Sequence, residues 1–247
     1  MFNRLDANGN NRTITRKVSF ANTELVSKSI SEKCFSFAYN MTFGEVGEHR
    51  IHRTGGLHSR KRGEIFANAY NGKMAEFVVY EQLKDSCDII EPDISQWKIG
   101  TWDETDLVAN DKKISIKSMK YFSNLLLLEK KDWNSDGGYI PNQGTTCDFH
   151  VVVRIHNDAE TIMKKYRLLY SNDDLSYEDL WEKFISEVFT CDIPGYITNN
   201  ELTYLIKNDF LIYQGNTLNV RTNIDADNYY CQLGDIHRSI NDLKKLL

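Results

Sequence analysis

Residues 105–118, TDLVANDKKISIKS, hold side chains of the types and spacing needed to cut a phosphodiester. Two strand-like runs flank Asn110-Asp111, a two-residue loop suited to a tight hairpin. That loop sets Leu107 opposite Ile114 and Asp106 opposite Ser115. Because strand side chains alternate, Asp106, Ser115 and Lys117 share one face, and Leu107, Ile114 and Ile116 share the other. Lys117 then lies diagonal to Asp106, about 7–8 Å away between backbones. A carboxylate there can hold a divalent cation that polarises a phosphate and acidifies a bound water. An ammonium beside it can orient that water and offset charge building on the phosphorane. The same pair on a solvated hairpin is ordinary surface, and a one-residue slip would place Asp106 among the isoleucines.

Positioning such a pair requires a sheet and something packed on it. Residues 62–84 have the three-to-four spacing of a helix (Phe66, Ala69, Lys73, Phe77, Tyr80), with Gly72 inside as a place for another backbone to approach. A shorter helix is expected near 22–36. Strands are expected at 89–94, 102–109, 113–118, 149–155 and 166–170, and a second helix at 119–131. Residues 133–146, WNSDGGYIPNQGTT, read as a polar loop rich in glycine and asparagine. Ser176 and Thr198 have the positions of helix caps, 228–233 is strand-like, and 236–247 is expected to close the chain as a helix. The pattern predicts one mixed α/β (α+β) domain spanning 1–247, its core at about 62–170.

In the helix before the hairpin, Glu76 falls one turn after Gly72, about thirty residues ahead of Asp106. Helix Glu, strand Asp and next-strand Lys occur in the order of the PD-(D/E)XK nuclease superfamily, which includes many type II restriction endonucleases and junction resolvases. The chain resembles that superfamily over about 62–120 and more loosely to 155. The resemblance implies a restriction-endonuclease-like core, a central mixed sheet flanked by helices. It also implies that Asp106 ligates Mg²⁺, that the Ile116 carbonyl completes the coordination, and that Lys117 positions the nucleophilic water. Ser115 departs from the pattern, which has Asp or Glu there, and serine is a poor ligand for a hard cation. The missing carboxylate falls to Glu76, which is preferred, or to Glu129, twelve residues after Lys117, as in members that draw it from the following helix. Pro92-Asp93 matches the motif letters, but Asp93 reads as a turn residue; Asp103 and Glu104 stand as substitutes for Asp106.

Composition bounds the partners. The chain has 247 residues, 41% of them hydrophobic, enough for one sizeable core. Five scattered cysteines without a CxxC pair read as reduced cytosolic thiols, and neither a signal core nor an 18-residue apolar run is present, so a cytoplasmic protein is expected. The net charge is −5, yet Arg50, Arg53, Arg60, Lys61 and Arg62 cluster without a carboxylate between them. Such a cluster can hold DNA phosphates, or be a solvated loop. Three histidines (His49, His52, His58) fall there too, but the neighbouring arginines disfavour zinc. Asn134, Asn142 and Gln143 in the polar loop are amides that can pair with adenine edges. The expectation is a Mg²⁺-dependent type II restriction endonuclease acting on double-stranded DNA, as a homodimer on a palindrome. The alternatives are a resolvase or repair nuclease of the same superfamily, or an inactive DNA-binding protein.

Overall fold

The computed structural model describes residues 1–44, 60–95, 105–236 and 239–247. Strands β1 (Asp6–Asn8), β2 (Asn11–Thr13) and β3 (Glu24–Leu25) precede two long helices, α1 (Lys28–Phe43) and α2 (Arg62–Leu83). Next come β4 (Leu107–Ala109), β5 (Lys112–Lys120), β6 (Leu125–Glu129) and β7 (Phe149–His156). Helices α3 (Ala159–Lys165) and α4 (Tyr177–Phe184) lead to β8 (Thr190–Thr198) and α5 (Asn199–Lys207). The chain ends with β9 (Leu211–Ile212), β10 (Thr217–Leu218), β11 (Thr222–Asn223), β12 (Asn228–Gln232) and α6 (Ile240–Leu243). The fold is mixed α+β. No helix among the described residues is long and apolar enough to cross a membrane.

A five-stranded sheet, ordered β3-β8-β7-β5-β4, forms the middle layer. Strands β5 and β7 run parallel, and the other neighbours are antiparallel. Alternation divides its side chains between two cores. On one side Ile114, Ile116, Val151, Val153 and Ile155 meet Cys34 and Phe35 of α1 and Phe66, Met74 and Val78 of α2. On the other, Val152 and Ile197 meet Leu126 and Leu128 of β6, Tyr230 and Cys231 of β12, and Leu202 and Leu205 of α5. Helices thus flank one face, while the sheet β6-β12-β9 together with α5 covers the opposite one.

Helix α2 is buried around much of its circumference, because α1 and α3 pack against it as well as the sheet. Its close backbone approach is at Gly63, where a Cβ would lie 2.1 Å from the Leu168 carbonyl oxygen. Gly72, expected to serve that purpose, has open space beside it. The hairpin forms in the predicted register, Leu107 opposite Ile114. Asn110 (φ 45°) and Asp111 (φ 63°) both take the left-handed conformation that a two-residue hairpin turn demands. Both side chains tolerate it through local hydrogen bonding.

Several expected elements differ. Residues 119–131 are not a helix: β5 continues to Lys120, and the leucines at 125–128 pair with β12, Leu125 opposite Gln232. Leucine and lysine favour helix weakly, and pairing with a strand a hundred residues away overrides that preference. Residues 166–170 are not a strand but the exit from α3; Asp158 caps that helix by accepting from Thr161 N–H, and Arg167 turns the chain at φ 61°. Of the strand expected at 89–94, only a single bridge from Ile89 to Ala109 forms. The first helix lies later than expected, starting at its Ser27 cap. The terminal helix shrinks to α6 behind a 3₁₀ turn at Leu233–Asp235. Strand β8, not anticipated, completes the central sheet. Ser176 and Thr198 cap their helices as expected.

Candidate active site

Asp106 sits just before β4, where the backbone ladder to β5 stops and side chains take over. Its Oδ2 accepts from the Ile116 N–H at 2.5 Å and from the Ser115 hydroxyl at 3.3 Å. Thr105 donates its hydroxyl to the Ile114 carbonyl at 2.8 Å. In an extended strand the N–H and C=O of one residue leave on the same side, so the Ile116 carbonyl faces the edge at which Asp106 is fastened. On the parallel side, Asp148 accepts from the Lys113 N–H at 2.9 Å and fixes the start of β7 against β5.

Lys117 lies two residues beyond Ser115, on the same face of β5 by alternation. Its Nζ is 5.7 Å from the ring centroids of both Trp133 and Tyr139. Those rings come from the polar loop, which folds back onto this face. Asn134 organises the loop: its Oδ1 accepts from the N–H groups of Asp136 (2.9 Å) and Gly138 (2.8 Å). Its carbonyl oxygen is therefore engaged within the loop. Gln143 is exposed, at φ 53°, and Asn142 donates its backbone N–H to Tyr139.

Two further groups belong to the site and were not singled out from the sequence. Cys147 is buried, 3.7 Å from the Thr105 hydroxyl. Burial pushes its thiol up and the nearby Asp106 charge adds to this, while Thr105, Lys117 and Lys113 oppose it. His150 lies beside Ser115 in the β5–β7 register and is 1% exposed. Among the described residues neither ring nitrogen has a hydrogen-bond partner, and the nearby Asn199 Oδ1 is buried in the same condition. Burial pushes the imidazole down to about 3; the Lys117 charge acts the same way and Asn199 against it. Asn199 acts as a hydrogen-bonding neighbour, but at a geometry short of a formed bond. A histidine inside the apolar run FHVVVRI was the available signal.

The remaining candidates come from other elements. Glu76 is on α2, which packs on the isoleucine face, and it bonds Lys73 at 2.6 Å; its charge is felt by the Cys34 thiol on α1. Glu129 ends strand β6, not a helix, and so belongs to the layer covering the Lys117 face. Among the described residues no group of three or more His, Cys, Asp or Glu side chains is placed to hold a metal ion. Asp93 closes a turn onto Ser95, as expected. Lys61 caps α2, its N–H donating to Glu64 at 2.9 Å, and Arg62 pairs with Asp174. Arg60 enters the same helix start. Arg50, Arg53, His49, His52, His58, Asp103 and Glu104 lie outside the described residues.

Scans of the chain against protein-family models, curated proteins and solved structures return no match.

Proposed function

We propose that this chain is a Mg²⁺-dependent endodeoxyribonuclease of the PD-(D/E)XK kind, acting on double-stranded DNA as a type II restriction endonuclease and working as a homodimer. The observation that carries the reading is the fastening of Asp106 to Ile116 N–H and Ser115 Oγ, on the hairpin face that also bears Lys117. The order of elements agrees with it: helix α2, then the β4–β5 hairpin, then β7 parallel to β5.

The oxygen donors on this edge suit Mg²⁺. It commonly takes one or two carboxylates and completes its shell with water and substrate phosphate, so a closed protein cage is not needed. Asp106 and the Ile116 carbonyl would hold it, with Glu129 the better placed second carboxylate because Glu76 is on the opposite side of the sheet. When bound, the cation supplies positive charge that polarises the phosphate and acidifies water. Ser115 donates to Asp106 and fixes the orientation of its carboxylate. Lys117 orients the attacking water and offsets charge developing on the phosphorane.

Digestion of a fully sequenced plasmid with Mg²⁺ tests the proposal. Discrete fragments are expected, and Asp106→Ala or Lys117→Ala should each slow cutting by about 10²–10³-fold, the scale seen when one transition-state interaction is removed. Near-normal turnover in either folded variant would refute the site. Smearing or junction-only cutting would point to a repair nuclease or resolvase. A second reading, an inactive DNA-binding protein, is favoured by Ser115 in the acidic position and by Glu76 committed to Lys73. Sequence-selective binding without cleavage would establish it.

A further inference from the structure

We propose that the 133–146 loop is a positioning element for Lys117, with Trp133 and Tyr139 as positioning residues, so that the loop works inward on the reacting centre and not outward on bases. The inference rests on the nuclease reading for its catalytic consequence, though not for its geometry. Both rings lie at 5.7 Å from the same ammonium and at 5.3 Å from each other. A cation within about 6 Å of a ring centroid is held by the ring's quadrupole. Lysine is a point charge on a flexible four-carbon stem, so orientation has to come from its surroundings.

The rings are themselves fixed. Trp133 is 7% exposed, in the core shared with Leu126 and Val152. It meets His150 edge to face at 5.5 Å. That imidazole is neutral at any ordinary pH because it is buried. A second positive charge beside Lys117 is thereby avoided. The loop is also clamped to α5: Asn199 Nδ2 donates to the Asp136 carbonyl at 3.1 Å, and Lys207 lies 4.0 Å from the Asp136 carboxylate. Two glycines permit the close fit. A Cβ at Gly137, already at φ +76°, would lie 2.5 Å from Asn199 Oδ1, and one at Gly138 would lie 2.3 Å from the Gly144 carbonyl. Asn134 is engaged by the loop backbone, while two aromatics of this segment stand around Lys117 on β5.

Two measurements on the full chain test this. In the wild type, the Lys117 Hε protons should be shifted upfield by ring currents, a signal identified by its loss in Lys117→Met. Tyr139→Leu should return it toward the ordinary lysine position. A wild-type spectrum with no displaced lysine signal would overturn the geometry, whatever the protein's activity. In Mg²⁺-dependent cleavage, Tyr139→Leu and Trp133→Leu should lower kcat about tenfold to a hundredfold, the cost of misplacing a reacting group by about an ångström. KM should stay within about twofold, and the Phe variants should recover to within about threefold, on the same basis of retained ring geometry. Tyr139 is half-buried, so its variants keep the test open if Trp133→Leu does not fold. Unchanged kcat in Tyr139→Leu, or lost discrimination between cognate and random DNA at constant kcat, would overturn the inward role. If Lys117→Ala cuts normally, the catalytic role of Lys117 fails while the resonance still judges the ring geometry; if the wild type does not cut at all, the nuclease reading fails and the resonance again stands apart from it.

Discussion

The two faces of the central sheet are built on different principles. On the helical side, β5 and β7 present Ile114, Ile116, Val151, Val153 and Ile155, and none of these five side chains needs a hydrogen bond. The other face presents Ser115, Lys117, His150, Val152 and Arg154 from the same two strands. Arg154 is completely buried, but its guanidinium is satisfied: Nε donates to Asp192 at 2.8 Å, and the remaining nitrogens reach Asp192 and the carbonyls of Val18 and Ser19. His150, four residues earlier on the same strand, is as deeply buried and has no such compensation among the described residues. A buried charge persists only when paired, whereas an imidazole can shed its proton and remain as a neutral cost. One face supplies stability through apolar packing. The second spends part of it on holding polar groups in place.

The largest effect should come from breaking the compensated charge. Arg154→Met leaves Asp192 buried without its partner and should cost about 3–5 kcal/mol in urea unfolding. Adding Asp192→Leu should recover part of the loss. A loss below about 1 kcal/mol in the single variant would mean that this face is no more polar in energy than the other, since surface pairs are worth that much or less.

The pH dependence of stability sharpens the contrast next. His150 has a folded pKa of about 3 against about 6.5 unfolded. Below pH 6.5 the unfolded chain takes up a proton that the folded chain refuses. Stability is therefore full above about 6.5 and lost as pH falls toward 3, with a limiting slope of about 1.4 kcal/mol per pH unit. His150→Gln should remove that component between pH 6 and 4, a window inside those two values. Identical pH slopes in the two proteins would show that the imidazole is hydrated or paired.

A smaller effect should separate the two candidate carboxylates by face. Glu76→Gln breaks the bond to Lys73, on the helical side, and should cost about 1.5–3 kcal/mol as a lost charged hydrogen bond. It should leave the Mg²⁺ concentration needed for cleavage unchanged, while Glu129→Gln raises it. The reverse pattern in metal titrations would return Glu76 to the site. The smallest change is expected at the start of α2. Replacing Arg60, Lys61 and Arg62 with alanine should flatten the log–log salt dependence of DNA binding by up to about 0.9 for each phosphate that is no longer neutralised. Arg62 is already paired with Asp174, which should lessen its share. An unaltered slope would make this corner ordinary surface.

Much of the hairpin was legible from the chain alone. The alternation of Leu107, Ile114 and Ile116 with Asp106, Ser115 and Lys117, together with an Asn-Asp turn, settles both register and facing, because each is a property of neighbours in sequence. Helix α2 and the caps at Ser176 and Thr198 were equally local. What tertiary structure decided were questions whose answers lie far along the chain. The leucines at 125–128 are a strand because β12 pairs with them. Glu76 is on the other side of the sheet from Lys117 because α2 packs on the isoleucine face, a choice of side that helical periodicity leaves open. The loop of asparagines and glycines encloses Lys117 because its aromatic residues find apolar cover in the layer of β6, β12 and α5, and burial of those rings outweighs the polar composition around them.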